Sequence, residues 1–117
     1  AKLVAEEHTA VFQLAAMLIR HESNFQNKVI DAPGKVLVEF FATWCPHCQR
    51  EMPIVNEFAQ EEMGKVTTYQ VDVDASPELA NIYAPEAYPT FMLFEDGMAV
   101  QSTTGEQPIA ELERLVA

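Results

Sequence analysis

An α/β domain, with a central mixed β-sheet flanked by helices on both faces, is the fold class this sequence predicts. Three observations predict it. Apolar, β-prone runs alternate with stretches of helical periodicity along the whole chain. The most apolar run, Val36–Phe41, leads through a short turn into a helix opened by a proline. Two further runs flank Asp96-Gly97, a dipeptide that favours a tight hairpin.

Taken in order, Ala15–Arg20 is apolar enough for a strand, although Leu3–Ile19 also reads as a ragged helix. Glu22–Ile30 reads as a short helix, and Asp31-Ala32-Pro33-Gly34 is turn chemistry. Val36–Phe41 is the pattern of a central strand covered on both faces. Proline suits the first helical position, so Pro46 puts Cys45 at the N-cap and Cys48 one turn later. That helix is expected to run to about Met63, with Met52, Val55, Phe58, Ala59 and Met63 at helical spacing and Gly64 at its end. Pro53 falls inside it and predicts a kink. Val66–Val73 reads as a strand, joined to the previous one by a helix and therefore parallel to it. Ser76-Pro77 opens a helix to about Tyr83, Thr90–Glu95 and Met98–Ser102 form the hairpin, and Pro108 starts a last helix with Ile109, Leu112, Leu115 and Val116 on one face. Residues 15–117 thus read as one domain, with 1–14 an N-terminal segment of uncertain structure.

Composition narrows the function. The chain has 117 residues, 49% hydrophobic, which suits one small globular domain. Seven basic against eighteen acidic residues give a net charge of −11, which argues against a nucleic-acid backbone or an anionic membrane as partner. The longest apolar run, Leu14–Ile19, is far short of the roughly 20 residues of a membrane span. Glu6 and Glu7 stand where an export signal would carry positive charge, which favours the cytoplasm; a periplasmic or exported protein is the alternative if an upstream signal was removed.

The two cysteines, Cys45 and Cys48, carry the most information. They are too few and too close for a disulfide scaffold, and His8, His21 and His47 supply no second pair for zinc. No metal and no cofactor is expected; metal or iron–sulfur binding by Cys45 and Cys48 together with a second subunit is a weaker alternative. Disulfide exchange needs one ionised, exposed thiol and a second thiol within reach. A cysteine at a helix N-cap meets unpaired backbone N–H groups and the positive end of the helix dipole, both of which favour a thiolate. The expected cycle is attack by Cys45, a mixed disulfide, and resolution by Cys48. Two inert buried cysteines are the alternative. His47, between the thiols, either supports the Cys45 thiolate or is a solvent-exposed bystander. Glu39 interrupts the most apolar strand. Buried, its carboxyl would hold its proton more tightly and could move the proton of Cys48; at an open sheet edge it would merely be solvated.

Trp44-Cys45-Pro46-His47-Cys48 resembles the active-site motif of the thioredoxin superfamily, and the likeness extends over about residues 15–117. Phe94-Glu95-Asp96-Gly97 through Gly105 is similar to a thioredoxin ending. Val38–Cys45, with glutamate as the buried acid, and Tyr88-Pro89-Thr90 are similar to a catalytic domain of protein disulfide isomerase. The Pro46-His47 pair is that of the strongly oxidising periplasmic protein DsbA, whose helical insertion is absent here.

The resemblance implies a thioredoxin fold and a role for each matching residue. Cys45 would be the nucleophile, Cys48 the resolving thiol and Glu39 the buried proton carrier. Pro46 and His47 would tune the redox couple. Pro89 would be a cis proline facing the disulfide, the backbone of Tyr88 would pair with substrate, and Trp44 and Gly105 would line the groove. Three features depart from ordinary thioredoxins: the Gly-Pro pair is absent, Gln70 stands where a lysine usually attends the buried acid, and the first dozen residues have no counterpart. The expected activity is thiol–disulfide exchange on protein substrates, served by a reductase or oxidase partner, in a monomer with a couple more oxidising than an ordinary thioredoxin. A binding or chaperone-like module that uses the Tyr88–Pro89 groove without turnover is the competing reading.

Overall fold

The computed structural model describes residues 16–117. The order is β1 (Ala16–Ile19), α1 (Glu22–Phe25), β2 (Lys35–Phe41), α2 (Pro46–Glu61), β3 (Val66–Asp72), α3 (Pro77–Tyr83), β4 (Thr90–Glu95), β5 (Met98–Thr104) and α4 (Ile109–Val116). Helix α1 runs on without a break into a π-helical segment, Gln26–Ile30. The expectation for residues 1–14, and the alternative helix starting at Leu3, lie outside the described residues.

The five strands form one sheet in the order β1-β3-β2-β4-β5. β3 pairs parallel with both β1 and β2, while β4 pairs antiparallel with β2 and β5. The sheet is therefore mixed, as its crossover helices and hairpin require. Side chains alternate across β2. Val36, Val38 and Phe40 join a core with Phe25, Val29 and Leu79 from α1, the π-helical segment and α3. Leu37 joins a second core with Val55, Phe58, Leu112 and Val116 from α2 and α4. Period-2 alternation puts Glu39 on the Leu37 face, beneath α2.

Six boundaries differ from the sequence reading, two of them being the end of β1 at Ile19 and the start of β2 at Lys35. β3 stops at Asp72, β5 continues to Thr104, α2 stops at Glu61, and Pro108 caps α4 rather than opening it. The inward face of α2 also differs. Met52 and Met63 are exposed, while Cys48, Glu51, Val55, Phe58 and Ala59 are buried. Spacings of three and four residues from Cys48 run through Glu51 and Val55, so a carboxyl occupies a place in the stripe that hydropathy assigned to methionine.

The β4–β5 turn has Asp96 at φ 51° and Gly97 at φ 84°, the left-handed pair of a tight hairpin. It is tied to the loop before β2. Asp96 N donates to Gly34 O at 3.0 Å, and Gly34 N donates to Asp96 Oδ1 at 2.8 Å.

Candidate active site

The site forms where β2 ends and α2 begins. Cys45 is the N-cap of α2 and Pro46 its first residue. The four N–H groups at a helix start have no partners within the helix. One of them, Cys48 N–H, donates to Cys45 Sγ at 3.4 Å. The Cys45 thiol in turn lies 3.6 Å from Tyr88 O, which accepts from it. Both cysteines are free thiols. Contrary to the exposed nucleophile expected from sequence, Cys45 is only 5% exposed, since this backbone contact lies against its sulfur.

Cys48 is buried as well. Burial pushes its thiol from 9.0 up to about 12; the Cys45 sulfur and the Glu39 charge add to the rise, and the Ala42 backbone opposes it. Both sulfurs are thus shielded from solvent, Cys45 as the N-cap of α2 and Cys48 on its first turn.

Glu39 is 1% exposed, so the open-edge alternative is excluded. Gln70, opposite it on β3, donates Nε2–H to Glu39 Oε1 at 2.8 Å. Burial raises the Glu39 carboxyl from 4.5 to about 7, the Gln70 amide opposes the rise and the charge of Glu51 adds to it. A neutral amide supplies a hydrogen bond but no compensating charge, and the desolvation effect wins.

Trp44 and Tyr88 flank Cys45. Trp44 is 63% exposed, meets Tyr88 edge-on with centroids 6.2 Å apart, and donates Nε1–H to Asp74 Oδ2 at 2.8 Å. The Tyr88–Pro89 peptide is cis. Gly105 has φ 86° and donates its N–H to Pro89 O at 2.7 Å, which brings the loop after β5 beside this turn. Cys45, Trp44, Tyr88, Pro89 and Gly105 therefore share one region of the surface. His47 directs Nδ1 to Glu106 Oε2 at 2.5 Å.

Four residues of this region escaped the sequence reading. Arg50 and Glu106 form an ion pair beside His47, Asp74 holds the Trp44 indole, and Glu51 is a second buried carboxyl. Both Glu51 oxygens accept from Gln107 N–H, at 3.2 and 3.1 Å. Burial raises the Glu51 carboxyl to about 7, the Gln107 hydrogen bond opposing the rise and Glu106 adding to it. The spacing of Glu51 from Cys48 was a usable signal; the partners of Arg50 and Trp44 are 56 and 30 residues away in sequence and left none.

Comparison with known proteins agrees with this geometry. The thioredoxin family model matches residues 16–117. The chain is 36% identical over 93 residues to thioredoxin 1 of Nostoc sp., covering 80% of this chain and 87% of that one. It is 36% identical over 96 residues to a thioredoxin of Alicyclobacillus acidocaldarius, covering 82% and 90%. A chloroplastic M-type thioredoxin of Triticum aestivum is 35% identical over 79% of this chain, which spans 53% of that longer relative. The crystal structure of mitochondrial thioredoxin 3 from Saccharomyces cerevisiae, in its oxidised form, superposes with a TM-score of 0.78 at 28% identity, covering 90% of this chain and 96% of that one. The CXXC motif at a helix N-cap, the mixed five-stranded sheet and these relatives converge on one conclusion: the chain belongs to the thioredoxin family.

Proposed function

We propose that the chain exchanges protein disulfides through Cys45 and Cys48, with Glu39 as the buried proton carrier. The observation that carries this reading is the position of Cys45 at the α2 N-cap, where its sulfur accepts the Cys48 amide. As a member of the thioredoxin family the chain is a thiol–disulfide oxidoreductase.

In the reducing direction the Cys45 thiolate attacks one sulfur of a substrate disulfide. The substrate S–S bond breaks, a mixed disulfide forms, and the departing substrate sulfur takes a proton. The Cys48 thiol then loses its proton and attacks Cys45 Sγ. The second substrate sulfur leaves with the bonding pair, the Cys45–Cys48 disulfide forms, and two electrons have passed to the substrate. The oxidising direction is the reverse. Cys48 is poorly acidic chiefly because it is buried, and the free Cys45 sulfur adds to the rise. Conversion of Cys45 to a mixed disulfide removes that contribution. Glu39, whose charge reaches Cys48 and whose carboxyl sits at about 7, is the acceptor for the proton released.

The substrate groove in this reading is made by Trp44, Tyr88, Pro89 and Gly105, with the backbone of Tyr88 pairing with the substrate chain. Pro46 and His47 make the couple more oxidising than that of a Gly-Pro thioredoxin, which lies near about −270 mV. What supports this is the placement of two cation-forming side chains, His47 and Arg50, on the first turns of α2. A couple near about −180 mV or above would suit an oxidising compartment; one near −270 mV would suit a reducing one.

Insulin reduction by wild type and by Cys45→Ser tests the exchange. Loss of turnover in the variant is the expected result, and undiminished turnover overturns the reading.

A further inference from the structure

The loop after β5 is held at three consecutive residues. Gly105 N–H donates to Pro89 O, Glu106 binds Arg50 and His47, and Gln107 N–H donates to Glu51. The outer two contacts fix the loop backbone, and so fix where the Glu106 carboxylate stands.

Arg50 meets that carboxylate as a fork, with Nη2 at 2.8 Å from Oε2 and Nε at 3.1 Å from Oε1. His47 Nδ1 lies 2.5 Å from the same Oε2 and 2.9 Å from Arg50 Nη2. A guanidinium only donates and a carboxylate only accepts, so a proton on His47 Nδ1 belongs to the Glu106 contact. One acidic side chain thus engages both cation-forming side chains of the active-site helix terminus. Glu106 holds the Arg50 guanidinium above its usual range, and the charge of Cys45, at the start of the same helix, adds a smaller contribution. Arg50 and then His47 lower the Glu106 carboxyl to about 2, so it is ionised at neutral pH. The other acid facing this cluster is Glu51, buried behind it.

We propose that Glu106 is a positioning residue that withholds the charge of Arg50 and His47 from the Cys45 sulfur, so that the couple is less oxidising than the Cys-Pro-His-Cys motif alone would make it. The inference rests on Cys45–Cys48 being the redox pair. The physical chain is short. Only the reduced protein carries a thiolate, so a cation near Cys45 stabilises the reduced state and makes the disulfide a stronger oxidant. A carboxylate bound to those cations cancels part of that stabilisation. The cluster is open to solvent, with side-chain exposures of 61, 56 and 37% for His47, Arg50 and Glu106, so salt screens the effect.

The test is the equilibrium of the Cys45–Cys48 couple with reduced and oxidised glutathione, measured at low ionic strength. For Glu106→Gln the constant for forming the protein disulfide should fall about threefold, or roughly 14 mV at about 29.6 mV per tenfold. The shift should shrink in about 1 M salt. Glu106→Asp should stay near wild type, and Arg50→Gln combined with Glu106→Gln should return toward it, because the withheld cation is gone. An unchanged or raised constant in Glu106→Gln, or an equal shift in the double variant, overturns the proposal. If Glu106→Gln does not fold, Arg50→Gln alone reads the same cluster: the constant should rise, and a constant unchanged or lowered overturns the proposal. A wild-type protein that forms no reversible disulfide with glutathione would instead defeat the redox reading beneath it.

Discussion

Gln70 and Glu39 face each other across the β2–β3 ladder, joined by an amide-to-carboxyl hydrogen bond of 2.8 Å beneath the active-site helix. Glu39 is buried and Gln70 half-buried, no cation pairs with the carboxyl among the described residues, and burial raises the Glu39 carboxyl from 4.5 to about 7. This relationship links the stability of the fold to the proton step assigned to the site.

The folded chain holds a proton on Glu39 between about pH 4.5 and 7 that the unfolded chain releases. Stability contributed by the protonated form is therefore full below about pH 4.5 and declines as pH rises through 7. Glu39→Gln should match wild type near about pH 4.5 and exceed it near about pH 8, by at most about 3 kcal/mol at about 1.36 kcal/mol per pH decade. Urea unfolding at the two pH values measures this. The same variant should slow the resolving step by about 10²-fold, the scale of a lost general base. A variant that resolves mixed disulfides at the wild-type rate would remove Glu39 from the mechanism.

Gln70→Lys places an ammonium beside the carboxylate. An opposite charge at hydrogen-bond distance favours the ionised acid and lowers its titration point. The pH profile of the resolving step should move to lower pH, and the pH-dependent loss of stability between about 4.5 and 7 should flatten. A profile unchanged by this substitution would separate Glu39 from the titration that governs the step.

Gly97→Ala tests the packing of the hairpin turn against Ile30, the end of the π-helical segment. A Cβ at this position would lie 2.2 Å from Ile30 O, and the backbone there has φ 84°. The left-handed conformation alone costs a non-glycine residue about 1–2 kcal/mol, and the contact with a backbone oxygen adds to it. We expect a loss of at least about 2 kcal/mol in urea unfolding, with the CXXC site still active in the folded fraction.

Much of this was legible in the sequence because the signals were local. The N-cap position of Cys45 follows from one proline, and the burial of Glu39 follows from five apolar neighbours in one strand. The hairpin follows from Asp96-Gly97. Glu51 was missed because hydropathy counts Met52 as the inward residue, whereas the helical stripe from Cys48 passes through Glu51 and leaves Met52 at the margin. The cluster of His47, Arg50 and Glu106 was missed for a different reason. It exists only after β5 and its loop return to the start of α2, a closure that no short-range pattern encodes. The low exposure of Cys45 likewise depends on Tyr88, 43 residues away.

The most direct test of the central claim is to mix Cys48→Ser with a protein disulfide such as insulin and analyse the product by mass spectrometry without reductant. The account predicts a covalent adduct through Cys45 that persists because no resolving thiol remains, is released by dithiothreitol, and is absent when Cys45 is also changed to serine. Absence of the adduct, or its undiminished formation in the double variant, would contradict the assignment of Cys45 as the nucleophile.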